Sequence, residues 1–87
     1  MYYILVYDVG VDRVQKMLKL VRRYLNHVQN SVFEGELTDA QLAELKDKAR
    51  ELMDEEKDSI IIYCVGSKRW SNRQVLGVEK HDIDNFV

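Results

Sequence analysis

Two runs in this chain, "YYILVY" at residues 2–7 and "SIIIYCV" at residues 59–65, are apolar at almost every position, and this limits the fold more than any other feature. Both are rich in aromatic and β-branched residues and read as strands. Side chains alternate between the two faces of a strand, so the first run sets Tyr2, Ile4 and Val6 against Tyr3, Leu5 and Tyr7. The second sets Ile60, Ile62 and Cys64 against Ile61, Tyr63 and Val65. Both faces of the sheet must therefore be covered.

Only two segments carry a helical period. Val14, Met17, Leu18, Val21, Leu25 and Val28 recur at helical spacing, with Asp12 and Gln15 at capping-box positions and Asn26 placed to stop the helix in a left-handed conformation. Thr38 and Gln41 form a second capping box, with Leu37 and Leu42 as its staple, and that helix runs through Leu45, Ala49, Leu52 and Met53. The stretch "HVQNSVFEGEL" is β-like and is either one bent strand or a tight hairpin, while "QVLGVEK" reads as a last strand. With a hairpin in the middle, the order is that of an α+β ferredoxin-like βαββαβ sandwich with an additional C-terminal strand. Two helices cover only one face of such a sheet. A two-fold homodimer is the simplest cover for the other.

The chain of 87 residues makes a single domain, residues 1–87, with 74–87 as the C-terminal strand and tail. One cysteine, Cys64, permits no internal disulfide and reads as a core thiol. The first apolar run stops at Asp8 and lacks a basic leader and a cleavage site, so no secretory signal or membrane span is expected and the cytoplasm is the default location. Net charge is −2, but its distribution is uneven. Arg13, Lys16, Lys19, Arg22 and Arg23 occur with no acid among them, whereas residues 34–58 hold ten acids and four bases. The first helix is cationic and the second anionic. A further basic cluster, "SKRWSNRQ", surrounds Trp70.

Asp8, where the first strand gives way to the turn at Gly10, has two readings. It can cap the following turn, or it can bind magnesium, which takes oxygen ligands and often only one or two protein carboxylates. A dimer axis near the strand end would bring two copies of Asp8 together around one ion. The basic face of helix one forgoes the i,i+4 pairing of an ordinary surface helix, and a phosphate backbone would supply its partners. His27 and His81 have no metal-ligand spacing, no serine lies in a nucleophile elbow, and Glu79, Asp82 and Asp84 read as a solvated acidic tail.

Taken together, "YYILVYDVG", "KMLKLVRRYL", "HVQNSVFEGEL" and "SIIIYCV" resemble the small CRISPR-associated endoribonuclease of the spacer-acquisition module, over residues 1–65. The resemblance implies a ferredoxin-like homodimer with facing sheets, in which the C-terminal strand crosses to extend the partner subunit's sheet. It implies that Asp8 of each subunit binds Mg2+ as the catalytic residue. It implies a nucleic-acid site lined by Tyr7, Arg13, Lys16, Arg22, Arg23, His27, Ser31 and Phe33, taking RNA or duplex DNA through phosphate contacts. Relatives often have arginine where this chain has His27, which makes phosphate binding there depend on pH. The implied partner is the CRISPR integrase of the adaptation complex, with spacer acquisition and antiviral defence as the setting. A metal-dependent phosphodiesterase and a non-catalytic DNA-binding scaffold that bridges integrase subunits both satisfy this pattern.

Overall fold

In the computed structural model, which describes residues 1–65 and 73–79, the two apolar runs lie side by side inside a five-stranded antiparallel sheet. The elements are β1 (Tyr2–Asp8), α1 (Val14–Arg22), β2 (Asn26–Gln29), β3 (Val32–Glu36), α2 (Asp39–Leu52), β4 (Ser59–Cys64) and β5 (Arg73–Gly77). The strand order is β2-β3-β1-β4-β5, the ferredoxin-like arrangement with β5 added beside β4. β1 thus has a strand on each side, pairing Leu5 with Phe33 of β3 and with Ile62 of β4.

Tyr3, Leu5 and Tyr7 point with Phe33, Ile60 and Ile62 toward the helices, where they bury against Met17, Val21, Leu42, Leu45 and Ala49. On the second face Val6 and its register partner Ile61 are buried, while Ile4, Tyr63, Val65 and Val75 are half-buried and Tyr2 is exposed. The second apolar face expected from the alternation is present. Among the described residues no helix is long and apolar enough to cross a membrane.

The middle segment is a hairpin. Gln29 pairs with Val32 across a turn at Asn30 and Ser31, and Asn30 takes a left-handed φ of 43° that asparagine tolerates. The left-handed asparagine is therefore Asn30 and not Asn26. α1 ends without one, in a tightened turn where the Tyr24 and Leu25 N–H groups both donate to the Val21 carbonyl and Asn26 enters β2 directly. Val28 lies in β2 with half its surface exposed, so the helical period in the sequence continues nearly two turns beyond the end of the helix.

The first capping box is also absent. Arg13 occupies the N-cap position of α1 with no side-chain cap, and the Asp12 carboxylate pairs with the Arg13 guanidinium at 3.0 Å. The second box forms as expected. The Gln41 N–H donates to Thr38 Oγ1 at 3.1 Å and the Thr38 N–H to Gln41 Oε1 at 2.9 Å, with Leu37 and Leu42 buried beside them.

Within the single chain β5 pairs with its own β4, with Ile61 opposite Val75, and Lys46 of α2 donates to Gln74 at 2.8 Å. Lys68, Arg69 and Trp70 of the basic cluster, and His81, Asp82 and Asp84 of the tail, lie outside the described residues. Arg73 and Glu79 form an ion pair at 2.6 Å.

Candidate active site at the end of the first strand

β1 ends on one side of a structural boundary. Tyr7 is buried, 5 % exposed, and the next residue, Asp8, is at the surface. Its register partner on β4 is Ser59, whose hydroxyl is buried and finds no hydrogen-bond partner among the described residues.

The chain around Asp8 is braced by a single buried carboxylate, Asp58, 1 % exposed. Asp58 accepts from the Gly10 N–H at 2.9 Å, the Asp54 N–H at 2.9 Å, and Arg13 Nε and Nη2 at 2.6 and 2.9 Å. The Arg13 hydrogen bond, opposed by burial and helped by the two backbone N–H groups, holds the Asp58 carboxyl down at about 2. Arg13 in turn is pushed above its ordinary value by the same bond. The loop that follows Asp8 and the strand that faces it are thereby tied to one point.

On the helix side of this strand end is an open cavity of about 360 Å³. Tyr7, Asp8 and Val9 form one wall, Val14, Gln15 and Leu18 of α1 another, and His27, Asn30 and Ser31 of the hairpin the third. Beneath it three rings are stacked, Tyr7 on Phe33 with centroids 5.6 Å apart and Phe33 on His27 at 4.7 Å. His27 Nε2 lies 2.6 Å from the Asn30 carbonyl, to which it donates.

The expected site residues therefore divide. Asp8, Tyr7, His27 and Ser31 meet around the cavity. Phe33 has no exposed surface and Tyr7 almost none, so neither can stack on a base; they support His27 from behind. Arg13 is committed to Asp58 and Asp12 and is not a free phosphate ligand. Lys16, Arg22 and Arg23 are exposed, and none of the ion pairs among the described residues uses them or Lys19. Within α2, Glu44 pairs with Lys48 and Asp47 with Arg50, and Glu44 also accepts from the Tyr24 hydroxyl just past α1, with the charge of Arg23 acting on it as well. Arg22 stands eight residues beyond Val14, about 12 Å along the helix at the usual rise.

Among the described residues no three His, Cys, Asp or Glu side chains come together. A closed nitrogen and sulfur site is thus not formed by them. An exposed carboxylate fits a magnesium ion that keeps most of its waters and takes its remaining ligands from phosphate or a second copy of Asp8. Asp58, Gln15 and Asn30 are the site residues that sequence reasoning passed over. Only Asp58 carried a signal, as an acid set directly before a wholly apolar strand.

Residues 1–73 match the family described as CRISPR associated protein Cas2. The chain is 47 % identical over its whole length to the CRISPR-associated endoribonuclease Cas2 of Pyrococcus furiosus, covering 100 % of both. It is also 47 % identical to the protein of that name from Thermotoga maritima, over 100 % of this chain and 99 % of that one. Among solved structures, Streptococcus pyogenes Cas2 superposes with a TM-score of 0.70 at 34 % identity, covering 78 % of this chain and 89 % of that one. With the ferredoxin-like sheet, the strand-end aspartate and these likenesses together, the chain belongs to the CRISPR-associated protein Cas2 family.

Proposed function

We propose that this chain is a magnesium-dependent endoribonuclease that works as a homodimer in the acquisition of new CRISPR spacers. The observation that carries this reading is Asp8, an exposed carboxylate at a braced strand end, beside a cavity and next to a helix with exposed cations. Relatives at nearly half identity that bear the name endoribonuclease support RNA as the substrate. Asp8 would hold the ion, which when bound neutralises a phosphate oxygen and makes a bound water nucleophilic at neutral pH. Lys16, Arg22 and Arg23 bind flanking phosphates, and the Asp58 brace keeps the carboxylate in place against the pull of the substrate.

The half-buried second face of the sheet, from Ile4 to Val75, supports a two-fold dimer that pairs one Asp8 with the other. In the single chain β5 completes its own sheet beside β4, so a dimer through the second face needs no exchange of that strand. One observation favours a second reading, a scaffold that grips duplex DNA and bridges integrase subunits. The exposed cations run the length of α1 to its last turn at Arg22 and Arg23, more surface than one phosphodiester requires.

The deciding experiment is magnesium-dependent cleavage of RNA and of duplex DNA, with the wild type beside Asp8→Asn. Cleavage by the wild type alone supports the nuclease. Equal inactivity, with DNA binding and integrase-dependent spacer insertion intact in both, supports the scaffold.

A further inference from the structure

The Ser59 hydroxyl is the one buried side-chain polar group without a hydrogen-bond partner among the described residues, and Ser59 itself has no exposed surface. Native folds seldom leave such a group unpaired. If the start of β4 needed only a small residue, alanine would serve it better, because a buried hydroxyl without a partner costs stability. A role beyond packing is the alternative.

The place of Ser59 in the sheet names its partner. It lies opposite Asp8 of β1 on one side and Gly77 of β5 on the other, and Gly77 has no side chain to offer. Alternation puts Ser59 on the second face with Ile61, whose register partners Val6 and Val75 are both apolar. Asp8 is thus the one neighbouring strand residue on this face with an accepting side chain. Directly opposed residues of antiparallel strands hold their Cβ atoms about 4.5–5.5 Å apart, so a turn about one Cα–Cβ bond brings the hydroxyl within reach of a carboxylate oxygen. The backbone around the pair is already fixed, since Asp58, next to Ser59, accepts from the Gly10 and Asp54 N–H groups. Only the two side chains need to move.

We infer that Ser59 is a positioning residue for the strand-end aspartate: its hydroxyl donates to one Asp8 carboxylate oxygen and so holds the other aimed at a divalent cation. The inference rests on the reading of Asp8 as the metal ligand, and it adds the residue that orients that ligand. A carboxylate only accepts and a hydroxyl can donate, so the polarity of the bond is set. Carboxylates that bind metals are themselves hydrogen-bonded by surrounding residues, and loss of such a partner lowers metal affinity by about 10–100-fold.

The test is a manganese titration of the full chain followed by electron paramagnetic resonance, beside thermal unfolding with metal chelated. Manganese takes the octahedral oxygen sites that magnesium takes, and its spectrum reads binding without turnover. Ser59→Ala should bind Mn2+ about 10–100-fold more weakly than the wild type. Without metal it should melt at or above the wild-type temperature. A merely structural serine gives the reverse, a lower melting temperature with unchanged Mn2+ affinity, and that result overturns the inference. Unchanged affinity at an unchanged melting temperature overturns it as well. Asp8→Asn separates the two readings: if that variant loses Mn2+ while Ser59→Ala keeps it in full, Asp8 remains the ligand and only the role of Ser59 falls. A wild type that takes up no Mn2+, or an Asp8→Asn variant that takes it up like the wild type, overturns both.

Discussion

The Arg13 guanidinium grips the Asp58 carboxylate with two hydrogen bonds, Nε to Oδ2 at 2.6 Å and Nη2 to Oδ1 at 2.9 Å, across 45 residues of sequence. The pair joins the loop after Asp8 to the start of the strand that faces Asp8. The chain on either side of Asp8 is thus fixed by a second, buried carboxylate.

Asp58→Asn should be severely destabilising even though the shape is nearly unchanged. All the hydrogen bonds recorded at this side chain come from donors, and the amide replaces one accepting oxygen with an NH2 that meets another N–H. It also leaves the half-buried Arg13 with only the exposed Asp12 as counter-ion. Breaking a buried pair from one side costs about 3–5 kcal/mol, which in a domain of this size is a fall in Tm of more than about 10 °C. Thermal unfolding checks this, and a shift of a degree or two would mean that solvent shields the pair.

The same pair sets an acid limit. The folded Asp58 carboxyl sits at about 2, below its ordinary 3.8, so its contribution is present in full above about pH 4 and is lost as pH falls toward 2. The depression corresponds to about 2 kcal/mol. Between about pH 5 and pH 2 the wild type should lose more stability in denaturant titrations than Asp58→Asn does, by about that amount. Parallel losses would assign the acid sensitivity to other carboxylates.

Gly77→Ala should loosen β5 selectively. Gly77 has a φ of 84°, and an added Cβ would come within 2.1 Å of the Asp58 carbonyl oxygen, which already accepts from the Val78 N–H. The obstacle is backbone, so it cannot rotate away, and a strained non-glycine residue of this kind costs about 1–3 kcal/mol before the clash is counted. Hydrogen exchange should quicken at Val75 and Leu76 while the β1 amides keep their protection. Uniform quickening through the sheet would show that β5 unfolds only with the rest.

These interactions also mark what the sequence could and could not disclose. The Thr38–Gln41 box was legible because both partners lie within one turn and nothing distant competes for them. The analogous Asp12–Gln15 spacing misled because Arg13 is drawn to Asp58, a partner no local pattern contains, and Asp12 then pairs with Arg13 instead. The two apolar strands fixed the sheet and its second face by alternation alone. Tyr7 and Phe33 are different: the resemblance pointed them to a ligand, whereas the structure buries both, with Phe33 stacked between Tyr7 and His27.

Reversing the charge of Arg22 and Arg23 to glutamate should weaken nucleic-acid binding without harming the fold, because both are exposed and make no ion pair among the described residues. Each phosphate contact on a duplex contributes about −0.9 to the slope of log affinity against log salt. The double variant should bind more weakly at low salt and with a shallower slope. Wild-type affinity and slope together would reduce the basic helix to a solvated surface.

Asp8→Asn should separate chemistry from architecture. Asparagine keeps the shape and an accepting oxygen at the strand end, and the hydrogen bonds of the neighbouring brace that run between Gly10, Arg13 and Asp58 remain in place. The variant should therefore melt within a degree or two of the wild type. It should keep the two-fold dimer in light scattering and bind RNA as well or slightly better, since one negative charge per subunit is gone. Magnesium-dependent cleavage should fall by orders of magnitude, because an amide oxygen is a much poorer ligand for a hard cation than a carboxylate. If Asp8 only caps the turn, Asp8→Asn should cleave like the wild type, and Asp8→Ala should lose about 0.5–2 kcal/mol of stability. Cleavage surviving both substitutions in highly purified protein would remove Asp8 from the chemistry.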